Sequence, residues 1–124
     1  MAAKIVAVVD DIFFLAKIQQ TAKQLCVTVE SAAPEALQEK LAEDAPRAIL
    51  LDLNHKSGKA IAVLEGVRNN PATRPIPVVA FLSHVQTDLA QAARTAGCDR
   101  VMARSAFSQQ LPMLLQELSQ EKSG

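Results

Sequence analysis

Short apolar runs alternate with longer amphipathic stretches along the chain. The runs are KIVAVV (4–9), CVTV (26–29), AILLDL (48–53), IPVVAFL (76–82) and RVMA (100–103). Three of them are nearly continuous in Val, Ile, Leu and Ala, as expected of strands covered on both faces. CVTV alternates more, which suits an edge strand. The stretches between carry helical stripes. In 12–25, Leu15, Ile18, Ala22 and Leu25 share one face. Segment 34–43 opens on Pro34 and spaces Leu37 and Leu41 one turn apart. In 59–69, Ile61, Leu64 and Val67 face inward, and 86–96 carries Leu89, Ala92, Ala93 and Ala96 ahead of Gly97, a residue suited to the position after a helix end. The last helix is predicted over 108–120 with Leu111, Leu114, Leu115 and Leu118, and Pro112 is placed near its start because an interior proline costs about 3 kcal/mol.

Five strands alternating with five helices predict an α/β fold: one doubly wound parallel sheet with helices on both faces. The tails are short and the pattern shows no linker or repeat, so residues 1–124 form one domain, of a length that supports a single well-developed core. Thirteen basic residues balance thirteen acidic ones, which argues against a nucleic-acid or membrane-surface partner. The lack of Trp and Tyr argues against base stacking on aromatic platforms. No run is long enough to span a bilayer, and MAAKIVAVVDD does not have the form of a signal peptide. Two cysteines without an export signal point to a reduced, cytoplasmic setting and to thiols that fill the core.

The chemistry is expected where the runs end. The first run stops at two adjacent aspartates, Asp10 and Asp11, although burying neighbouring carboxylates is costly and the two repel. In an open parallel sheet, ligands collect beyond the carboxyl ends of the strands. Asp52 ends the third run with Asn54 two residues on, Ser83 and His84 come after the fourth, and Arg104 after the fifth. Three acids, a hydroxyl and a cation would then meet in one crevice, a setting for a hard divalent cation such as magnesium. The first loop, DDIFF, has no glycine to cradle a phosphate or dinucleotide, and the histidines and cysteines lack zinc-ligand spacing.

Taken in order, these residues resemble a response-regulator receiver domain over residues 4 to about 120. The acidic pair of that family matches Asp10 and Asp11, its phosphoacceptor matches Asp52 in AILLDLN, and its phosphoryl-binding hydroxyl matches Ser83. Asn54 falls where a backbone carbonyl completes the family's metal site, and AGCDRVMARSAF (96–107) resembles the family's AGADDYLVKPF. The resemblance implies a flavodoxin-like sheet of order 2-1-3-4-5, with Asp10, Asp11, Asp52 and the Asn54 carbonyl holding Mg2+. It implies a stand-alone receiver rather than an enzyme, taking a phosphoryl group onto Asp52 from a histidine kinase or a histidine phosphotransfer protein. Output would pass to a downstream protein or to a second copy in a homodimer. The alternative is a phosphorylation-independent pseudo-receiver; a metal-dependent phosphatase would lack a general acid or base beyond His84.

Four departures from the family bear on the mechanism. Arg104 and Ser105 replace its Lys-Pro, Val101 replaces its switching aromatic residue, His84 comes after Ser83 where a small residue is usual, and the loop NHKSG (54–58) is short. Arginine keeps the lysine's charge but brings a planar fork able to clamp Asp52. Phe13 suits either the core or an exposed patch beside the site where a kinase docks. In the 2-1-3-4-5 order Cys26 and Cys98 lie at opposite edges of the sheet, four spacings of about 5 Å apart, beyond the roughly 7 Å reach of a disulfide.

Overall fold

In the computed structural model, which describes residues 4–83 and 87–120, five parallel strands pair in the order β2-β1-β3-β4-β5. They are β1 (Lys4–Val8), β2 (Thr28–Ser31), β3 (Ala48–Asp52), β4 (Val78–Leu82) and β5 (Arg100–Ala103). The order is the one expected. Every residue of β3 and β4 is buried, which accounts for their unbroken apolar sequences. The register pairs Val8 with Leu51, Asp52 with Phe81 and Leu82 with Ala103. The four strands therefore end nearly level, and the residues just past them share one rim.

The helices are α1 (Ile12–Gln24), α2 (Leu37–Glu43, entered through a 3-10 turn at Pro34–Ala36), α3 (Ala60–Asn69), α4 (Thr87–Thr95) and α5 (Arg104–Ser119). Two cores form, one on each face of the sheet. On one face Ile18 and Ala22 of α1 and Phe107, Leu111, Leu114 and Leu115 of α5 cover Ile5, Ala7, Leu50, Val79 and Phe81. On the other, Leu37, Leu41, Leu64, Val67 and Ala93 of α2, α3 and α4 cover Val6, Val8, Ile49, Leu51 and Ala80. Placing α1 and α5 side by side brings their first turns together above the same rim.

Three local expectations are corrected. α5 starts at Arg104, so Pro112 lies inside it. Pro112 is on the solvent side, where water can satisfy the Ser108 carbonyl that loses its helix donor, while Leu111 and Leu114 beside it stay buried. Ala92 of α4 is exposed, and the inward face runs through Leu89, Ala90, Ala93 and Ala96. Cys26 is neither in β2 nor in the core: it is exposed, with φ 59°, just past α1. Cys26 N–H donates to the Lys23 carbonyl and Val27 N–H to the Ala22 carbonyl, closing the helix in a Schellman motif with cysteine where glycine is usual. The same closure ends α4, from Gly97 to Arg94 and Cys98 to Ala93, with Gly97 at φ 100°. A Cβ at Gly97 would lie 3.0 Å from Cγ of Arg68, whose guanidinium bonds the carbonyls of Gly97, Arg74 and Ile76 and the Asp99 carboxylate.

Candidate functional site

The cleft at the carboxyl ends of the strands has a volume of about 530 Å³ and is lined by Asp10, Asp11, Asp52, Asn54, Ser83 and Arg104, with Ile12, Phe13 and Lys56 at its rim. The structure thus brings all six sequence-predicted site residues to one place. His84, the other residue singled out there, lies outside the described residues.

Asp52 forms the floor. It is 5% exposed, and its Oδ1 accepts from the Asn54 N–H at 2.9 Å. Among the described residues its Oδ2 has no hydrogen-bond partner. Burial pushes its carboxyl above the ordinary range; the Asn54 N–H and the charge of Arg104 act against this shift, and the charge of Asp10 adds to it. Asp10 Oδ2 accepts from the Lys56 N–H at 3.0 Å, so the short loop after β3 is tied to the end of β1. Asn54 also serves through its side chain, a role its position in the sequence does not signal. Its Oδ1 accepts from Ser83 N–H at 2.7 Å and Ser83 Oγ at 3.2 Å, fixing the hydroxyl beside the cleft.

Asp11 has two jobs. It is the N-cap of α1, its Oδ1 accepting from Phe13 N–H at 3.0 Å and Phe14 N–H at 3.1 Å. Its Oδ2 receives Arg104 Nη2 at 3.0 Å. The Phe14 amide first, then Arg104 and the Phe13 amide, hold the Asp11 carboxyl below its usual range against some opposing desolvation. The expected clamp of Arg104 on Asp52 is therefore corrected: the fork is on Asp11. The cause is the packing of α5 against α1, which carries Arg104 to the start of α1. The guanidinium lies over the Phe14 ring, 4.2 Å from its centroid, and 5.7 Å from that of Phe81. Phe14, Phe81 and Phe107 form a ring cluster beneath it, with centroids 4.6 to 5.9 Å apart. Ile12 and Phe13 are 71% and 83% exposed, so of the two expectations for Phe13 the exposed patch beside the cleft is the one found.

The donor set suits a hard divalent cation in kind, since Asp10 and Asp52 each keep one carboxylate oxygen without a hydrogen bond among the described residues. The third carboxylate is committed to α1 and Arg104. Among the described residues no three Asp, Glu, His or Cys side chains gather into a metal-holding group.

No family model and no curated protein matches the sequence. Solved structures do match the fold. A putative response regulator from Chloroflexus aurantiacus superposes with a TM-score of 0.84 at 18% identity, over 95% of this chain and 98% of the other. The receiver domain of sensor histidine kinase PA1611 from Pseudomonas aeruginosa, with magnesium coordinated in its active-site cleft, gives 0.82 at 18% over 95% and 98%. The phosphorylated cyanobacterial phytochrome response regulator RcpA gives 0.79 at 21% over 95% and 91%. The fold is that of a response-regulator receiver domain. At such identities the likeness establishes the fold, and any chemistry has to come from the cleft itself. No helix among the described residues is long and apolar enough to cross a membrane.

Proposed function

We propose that the protein is a receiver of two-component signalling that accepts a phosphoryl group on Asp52 and signals by binding another protein. The observation that carries this reading is the state of Asp52 at the floor of a cleft flanked by Ser83 and Arg104. It is a buried carboxylate with one oxygen oriented by Asn54 N–H and the other unbonded among the described residues. In the transfer, a carboxylate oxygen of Asp52 forms a bond to phosphorus as the bond from phosphorus to the donor histidine nitrogen breaks. The imidazole leaves with the electron pair and is reprotonated from water. Catalysis of such a step is positioning and charge neutralisation. Burial raises the basicity of the attacking oxygen, and Ser83 and Arg104, which line the same cleft, would hold the transferred oxygens.

Asp10, Asp52 and the Asn54 carbonyl would hold a magnesium ion, with Asp11 joining them once free of Arg104. Its chemistry is to offset the negative charge of the phosphoryl oxygens. A histidine kinase or histidine phosphotransfer protein would be the donor, acting in the cytoplasm. A downstream protein or a second copy of the chain would read the result. The test is intact-mass measurement after incubation with magnesium and acetyl phosphate. Wild type should gain one phosphoryl group, labile to hydroxylamine, and Asp52→Asn should gain none. No gain from acetyl phosphate or from a phosphohistidine protein would refute the assignment and leave a phosphorylation-independent interaction module.

A further inference from the structure

We propose that Arg104 is a tethered cation that competes with the divalent ion for Asp11, so that metal entry and withdrawal of Arg104 are a single exchange. This rests on the cation site proposed above and concerns its regulation. Three observations support it. First, both oxygens of Asp11 are engaged, Oδ1 by the first amides of α1 and Oδ2 by Arg104 Nη2 at 3.0 Å, so a metal reaching Oδ2 meets a full positive charge one hydrogen bond away, and the two cations repel until the guanidinium withdraws. Second, the other two acids each retain an oxygen unbonded among the described residues, which makes Asp11 the one carboxylate whose availability is controlled. Third, Arg104 is held by one ion pair and by ring faces, while its Nε is buried without a hydrogen-bond partner among the described residues. A guanidinium with that donor unused is seated by one ion pair and by stacking, and once Asp11 is neutralised by another cation only the stack on Phe14 remains to hold it.

A merely structural arginine predicts the opposite sign. If Arg104 only braced α5 against α1, its removal would loosen the cleft and weaken metal binding. As a competitor, its removal strengthens binding.

The experiment is titration of the full chain with Mn2+, following free ion by electron paramagnetic resonance, which reads occupancy without any phosphoryl transfer. Arg104→Ala should bind about tenfold more tightly than wild type, the factor given by ~1.4 kcal/mol of relieved competition. Phe14→Leu keeps the charge and removes the stack; it should tighten binding by about threefold. Lys56→Ala removes a positive charge from the same rim without touching Asp11, and should shift affinity by less than either. Equal or weaker binding by Arg104→Ala, or an equal gain in Lys56→Ala, overturns the competition while leaving the cation site standing. Failure of both wild type and Arg104→Ala to bind millimolar Mn2+ overturns the site and the competition together. Should Arg104→Ala not fold, Phe14→Leu against Lys56→Ala decides the matter.

Discussion

Asp52→Asn should make the protein more stable at neutral pH, although it removes the proposed reactive group. The carboxylate is 5% exposed, accepts one backbone N–H and faces the charge of Asp10, while the guanidinium that could pair with it is on Asp11. Burial is the main cause of its raised pKa. Asparagine has the same shape and keeps an oxygen for the Asn54 N–H. The difference is the charge, and relief of a poorly compensated buried charge is worth about 1–2 kcal/mol. For a chain of this length that is a rise of about 3–10 °C in melting temperature. Proton uptake sets the sign with pH. Between the ordinary value of 3.8 and the raised value in the fold, the native state binds more protons than the unfolded one, so wild-type stability falls as pH rises through that window. The advantage of Asp52→Asn should therefore grow as pH rises through that window and vanish below about pH 4. Melting curves by far-ultraviolet circular dichroism in chelator, across this range, measure it. A variant less stable than wild type at neutral pH, or a gain that does not change with pH, would refute the buried-charge argument.

Magnesium at millimolar concentration should raise the melting temperature of wild type by screening the clustered acids, and by less in Asp52→Asn; equal rises in both would remove Asp52 from the cation site. Cys26→Gly should stabilise by about 0.5–1 kcal/mol in urea unfolding, because glycine takes the left-handed position after α1 without strain. Phe81→Ala should cost about 3–5 kcal/mol in the same assay, since Phe81 is fully buried between Phe14 and Phe107. With a thiol reagent the exposed Cys26 should react well before Cys98, whose thiol is pushed up by burial, and mass spectrometry should find no bond between them.

The strands and their rim are legible because a strand covered on both faces has to be written in unbroken apolar residues, and the residues after such a run must sit at its end. AILLD and VVAFL are fully buried, and Asp52 and Ser83 stand where that rule puts them. Pairing at the rim is not legible. Arg104 and the acids can be placed in one cleft, but which acid it meets depends on how α5 leans on α1, and nothing in the spacing of either helix encodes that contact. The start of α5 escapes the sequence because the proline penalty, weighed by the missing N–H alone, falls when the residue faces water. Cys26 reads as strand because its apolar neighbours Val27 and Val29 continue the run, whereas backbone handedness after a helix leaves no mark on a non-glycine residue.

The two cores differ in one respect that matters for anyone choosing a label. All four phenylalanines lie on or beside the α1/α5 face, three beneath Arg104 and Phe13 exposed at the cleft rim, and the α2–α4 face holds no phenylalanine. With neither tryptophan nor tyrosine in the chain, its aromatic signal comes from one side of the sheet. Biosynthetic fluorination of phenylalanine would accordingly yield a four-line spectrum in which every resonance reports on the cleft or the rings under it, and none on the opposite layer.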